Sequence, residues 1–128
     1  MRQYNKNEAI QRIDLLANKA IGLKTPRGET AFMAIQFRYQ DALAWDGVSV
    51  APKSLVGYAV NKDISVTEAQ SITITKYEQL KDHVADVYLL RSNALVDLRV
   101  LSNNTPAPAV MAVYLLHLGL FEDIMEFA

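Results

Sequence analysis

A chain of 128 residues has room for one domain-sized core, and 51% hydrophobic with 21% charged residues is the composition of a folded globular protein. Thirteen Lys and Arg nearly cancel fourteen Asp and Glu with no basic tract, which sets aside the phosphate-neutralising footprint of a nucleic-acid binder. With no cysteine there is no disulfide framework, thiolate metal site or thiol nucleophile, and the composition fits a reducing cytosol.

Met1 to Glu8 is polar, so no secretory signal is expected there. Ile10, Ile13, Ala17, Ala20 and Ile21 then recur every three or four residues and line one face of a first helix. Asn5 or Asn7 is its expected cap and Gly22 its exit. Thr25-Pro26 reads as a cap followed by proline at the first helical position, with Gly28 allowing a slightly later start.

The second helix carries Phe32, Ile35, Tyr39 and Leu43 on one face, broadened by Met33, Phe37 and Trp45. Asp46-Gly47-Val48 stops it, and Ala51-Pro52 opens a connecting element. Between Ser54 and Val60 two helical turns are expected; a hairpin over Val48 to Val60 is the competing reading, because β-branched residues alternate there.

Ser65-Val66-Thr67-Glu68 has the form of a capping box, in which Ser65 and Glu68 exchange side-chain to backbone hydrogen bonds. Beyond it Ala69, Ile72, Leu80, Val84, Val87, Ala94, Leu98 and Leu101 keep a three-or-four spacing. A long helix over about residues 66–102 is expected. Ser71 to Thr75 is its weak point, since alternating β-branched residues lower helix stability. Asn103 to Pro108 breaks the chain with turn-forming residues.

The last segment, Val110 to Phe127, is apolar on most sides up to Gly119 and acidic afterwards. The greasiest run of the chain, Ala107 to Phe121, counts fifteen residues and contains His117. That falls short of the ~20 residues a membrane span needs, so no membrane insertion is expected. Val110, Val113, Tyr114, Leu116, Leu118, Leu120 and Phe121 cannot all face one core on a helix of about three turns. These seven are the expected protein interface, through which the chain forms a homo-oligomer or docks onto an assembly. The competing reading makes the same helix a central core element.

Candidate chemistry is sparse. Asp82, His83 and Asp86 lie close together on the long helix, with an imidazole and a carboxylate at i, i+3. A bundled carboxylate site needs matching Glu-x-x-His pairs on facing helices, and these are missing; a solvated helix face is the expectation. His117, set among Leu115, Leu116 and Leu118, reads as an interface or hydrogen-bonded core histidine. No phosphate-binding glycine loop or nucleophile elbow occurs, and the aromatic residues Phe32, Phe37, Tyr39 and Trp45 fit core packing better than base stacking. The expectation is an all-α domain of four to five helices spanning 1–128, with a helical core over 10–104 and an apolar C-terminal helix over 105–128. No enzymatic activity, cofactor, metal site or nucleic-acid partner is expected.

Several pieces occur in an order similar to that of a small helical domain of tailed-phage proteins associated with tail fibres or tail assembly. They are Ile13, Asp14 and Ala17; Thr25, Pro26 and Gly28; Arg38, Asp41 and Ala42; Pro52 with Leu55; Ser65, Glu68 and Ala69; and Arg99. The resemblance covers about residues 10–101, with the turn-to-helix spacing displaced by about two residues and the family's Tyr and Trp landmarks moved or replaced. It implies a phage virion or tail-assembly component without catalytic residues, located in the virion or host cytoplasm, whose partners are other phage structural proteins or itself. A stand-alone binding or inhibitor protein used in host takeover is the alternative, and a helical carboxylate-metal enzyme resting on Asp82, His83 and Asp86 is a third reading.

Overall fold

Asn5 fixes where the first helix begins: its side-chain oxygen accepts the Glu8 N–H at 2.9 Å, so α1 runs over Lys6–Gly22. The computed structural model describes residues 3–24 and 29–126, with the side chains of 29–32 excepted. Within them α1 is followed by α2 (Glu29–Ala44), α3 (Lys53–Lys62), α4 (Val66–Arg99) and α5 (Ala107–Glu126), and no strand occurs among the described residues. The expected all-α class with a long helix and an apolar C-terminal helix is the class observed. The Thr25-Pro26 cap and the Phe32 side chain lie outside the described residues.

The chain divides into two compact units, residues 1–24 with 83–128, and residues 25–82. α5 packs into the core of the first unit with α1 and the later part of α4.

In the first unit Ala9, Ile13, Ala17 and Ala20 of α1 form the buried stripe that their spacing requires. They join Val87, Ala94, Leu95 and Leu98 of α4 and Val110, Met111, Tyr114 and Phe121 of α5 in one apolar cluster. The alanines leave space that the larger side chains of the other two helices fill. Helix ends carry carbonyls without an intrahelical partner, and one side chain meets that need here. Lys6 Nζ donates to Arg99 O at 3.1 Å and Leu101 O at 2.9 Å, placing a cation at the C-terminus of α4. α4 therefore stops at Arg99, a few residues before the expected end, while Leu101 still packs against the core. Beside the core, Arg91 Nε pairs with Asp14 Oδ1 at 2.7 Å, with both side chains partly exposed. Tyr4 meets Tyr114 edge-on at 5.3 Å, and burial of Tyr114 raises the pKa of its phenol.

The second unit is held differently. Among its described side chains Ala42, Leu55, Ala59, Ala69 and Thr73 are buried, and Leu55 is the one large aliphatic group that is fully enclosed. Polar and aromatic contacts supply the rest. Gln70 Nε2 donates to Ala42 O at 2.8 Å and Trp45 O at 3.0 Å, satisfying carbonyls where α2 ends. Ser54 Oγ donates to Asp41 Oδ2 at 2.7 Å. Tyr39 stacks on Tyr77 at 4.2 Å, and the Arg38 guanidinium lies 4.2 Å from the centre of the Tyr58 ring.

The α2–α3 connection follows from Asp46 and Gly47. Asp46 Oδ1 accepts the N–H groups of Val48 at 2.9 Å and Ser49 at 2.7 Å, while Gly47 takes φ +81°, which only glycine adopts at no steric cost. Helix, not hairpin, forms over the segment that had two readings, with Pro52 at the N-cap of α3. α3 closes on Asp63 in the left-handed region at φ 56°, and Ile64 N–H reaches back to Ala59 O at 3.0 Å. At Ser65 the forward half of the expected capping box forms, Glu68 N–H donating to Ser65 Oγ at 3.1 Å; no return bond occurs among the described residues. The β-branched run from Ser71 to Thr75 is helical, so the surrounding helix overrides local strand propensity there.

Candidate functional site

The structure separates the seven expected interface residues by the face of α5 on which each lies. Val110, Tyr114 and Phe121 are buried in the first unit, and Val113 and Leu118 pack partly against that core. Val110, Tyr114 and Phe121 therefore offer no free surface in the folded chain, while Val113 and Leu118 are half-buried. Leu116 and Leu120 remain, at 66% and 43% exposure, with Leu115 exposed beside them. The reason lies in helix length. α5 has 20 residues, about five and a half turns in place of the three expected, so an inner stripe and an outer stripe both fit along it. That length, with a mean hydropathy of 1.4 over its best 18-residue window, is also enough to cross a membrane by length and composition, although 28% of that window is buried inside the protein. The helix is longer than the apolar run Ala107 to Phe121 because it continues through its acidic end.

Both histidines have structural partners. His83 was expected on a solvated face, yet it is buried, with Nε2 2.7 Å from Ala20 O. A carbonyl only accepts, so the ring donates from Nε2 to a carbonyl in the last turn of α1. Its neighbours Asp82 and Asp86 are exposed, so the three side chains do not converge, and no group of three or more His, Asp or Glu among the described residues is arranged to hold a metal ion. His117 is a buried, hydrogen-bonded core histidine, as one of its two sequence readings proposed: Nε2 lies 2.7 Å from Asp97 Oδ2. Thr73 Oγ1 is a buried polar atom without a hydrogen-bond partner among the described residues.

A shallow groove of about 390 Å³ opens on the first unit between α4 and α5. Leu89 and Leu90 line it from α4, Leu120 and Ile124 from α5, and one carboxylate from each helix, Asp86 and Asp123, completes it. Leu89 is 60% exposed and Leu120 is exposed too, whereas Leu90 and Ile124 pack partly against the core. Leu116 stands one turn before Leu120 on the same face of α5 and extends the apolar stripe beyond the groove. Sequence reasoning missed Leu89, Asp86, Asp123 and Ile124 as a set, though the i, i+4 series Leu116, Leu120, Ile124 was open to it as a stripe separate from Val110, Tyr114, His117 and Phe121. What no sequence spacing supplies is that Leu89 and Leu120 line one groove.

A second exposed apolar set belongs to the other unit, where Met33, Phe37 and Leu43 of α2 and Val48 and Val50 of the following loop face solvent. Comparison with protein-family models, curated proteins and solved structures finds no match to this chain.

Proposed function

We propose that this chain is a non-enzymatic helical module that works through protein–protein contacts, with the outer stripe of α5 and the adjoining α4 residues as its contact surface. The observation that carries the reading is the division of α5 into an inner stripe consumed by the core and an outer stripe of Leu115, Leu116 and Leu120 left in solvent. Contiguous apolar surface of this kind is costly to leave wetted and marks interaction sites in soluble proteins. The partial resemblance in motif order to tailed-phage helical domains supports a narrower setting, a virion or tail-assembly component. That setting is tested by the genes that flank this one and by the presence of the chain in purified particles.

Replacement of Leu116 by a photo-crosslinking phenylalanine derivative, with irradiation in the producing cells, tests the reading itself. Adducts to other proteins or to further copies of the chain are expected from position 116. Irradiation that yields only intrachain or water-quenched product in every cellular setting, including infected cells, would show that the surface has no protein partner.

A further inference from the structure

We infer that the α4–α5 groove receives an amphipathic helix with basic residues flanking its apolar face, contributed by another protein. The inference rests on the contact reading above and adds the chemistry of the occupant. Leu89, Leu90, Leu120 and Ile124 supply an apolar floor for alternate turns of such a helix. Asp86 and Asp123 stand at the same groove with no cation paired to either among the described residues.

The charge distribution of α5 gives an independent reason for a cationic partner. The negative end of the helix dipole lies at its C-terminus, where basic residues stabilise and acidic ones repel. α5 does the opposite: it ends in Glu122, Asp123 and Glu126, with no basic residue in its last turn. Its own stability does not account for that choice, whereas a partner bringing Lys or Arg to the groove would be attracted to both the side chains and the helix end. The same charges argue against the other occupants. Two copies related by a two-fold axis through this groove would set Asp86 and Asp123 against their own counterparts. An anionic lipid surface would meet the same repulsion.

The test uses the full chain and two designed helical peptides with identical leucine spacing, one flanked by Lys and Arg and the other by Glu, titrated by fluorescence anisotropy. The basic peptide is expected to bind at least tenfold more tightly than the acidic one, and to weaken as salt rises. The double variant Asp86→Lys, Asp123→Lys alters exposed side chains, and its unchanged helical circular dichroism checks that it folds. It should reverse the preference between the peptides. Equal binding of both peptides, binding of neither, or a preference that survives the charge reversal would overturn the inference. So would self-association that the double variant abolishes, or recruitment of the chain to anionic vesicles in place of the basic peptide. Partner adducts at position 116 alongside any of these results would remove the inference and leave the contact reading standing. Absence of adducts removes that reading as well.

Discussion

The two units of this protein reach stability by different means. Among the described side chains, five of the six largest that are fully buried, Phe121, Ile13, Leu98, Val87 and Val110, belong to the first unit, and Leu55 belongs to the second. The first unit is held chiefly by burial of aliphatic and aromatic surface, which favours folding roughly in proportion to the area removed from water. In the second, among the described side chains, an aromatic stack, a guanidinium–ring contact and a glutamine bridging two carbonyls take a larger share. One consequence is functional. A unit whose inner faces are already well filled can carry exposed apolar residues on an outer face without relying on them for folding.

Truncation of a core side chain in each unit sharpens the contrast most. Phe121→Ala should destabilise the chain by about 3–5 kcal/mol, and Leu55→Ala by about 2–5 kcal/mol. Urea titration followed by circular dichroism and by Trp45 fluorescence separates them. Leu55→Ala should lower the fluorescence midpoint first, because Trp45 reports on its own unit, while Phe121→Ala should lower the helical signal first. Coincident midpoints in both variants would show that the two units unfold as one.

A polar substitution probes the second unit's reliance on hydrogen bonds. Gln70→Leu removes both donors to Ala42 O and Trp45 O and should cost about 1–2 kcal/mol, with an altered Trp45 emission. An unchanged midpoint would mean that water replaces the glutamine without loss. Ser65→Ala removes the hydrogen bond that caps α4 and should cost about 1 kcal/mol, read from the thermal midpoint.

The smallest effect expected is at Asp46. Backbone hydrogen bonds from Ser49 and Val48, joined by the Ser49 hydroxyl, hold its carboxylate below the ordinary Asp pKa of 3.8. A carboxylate whose pKa is lowered on folding contributes stability above its unfolded pKa and loses it as the pH falls through the folded value. Stability measured against pH should therefore fall slightly less steeply below pH ~4 in Asp46→Asn than in the parent chain. Superimposable pH profiles would show that this turn does not feel its carboxylate.

Helix positions were largely legible in the sequence because their signals are local. Asn5, the Asp46-Gly47 stop, Pro52 and Ser65 all act within a few residues, and each lies at a helix boundary or in the turn between helices. The site was only half legible. The apolar character of α5 showed that one core could not absorb every side chain, but the inner and outer stripes were merged because the helix was read as too short. His83 was placed on a solvated face because its flanking residues are charged, while its burial depends on Ala20, 63 positions away. The Lys6 contacts at the end of α4 span 93 and 95 positions and left no local trace either. Long-range pairings of this kind arise from packing, which one-dimensional spacing does not specify.

The central claim is that α5 presents one face to the core and the opposite face to a partner, and thermal melting of two single variants tests it most directly. Val110→Gln places an amide at a fully buried position, whereas Leu116→Gln places the same group one and a half turns later on the outer stripe. The first should destabilise by several kcal/mol or prevent folding, because a buried amide without partners is expensive. The second should leave the midpoint within about 2 °C of the parent chain, as surface substitutions of this kind do. Comparable losses at both positions would contradict the account, since they would mean that the outer stripe of α5 also belongs to the folded core.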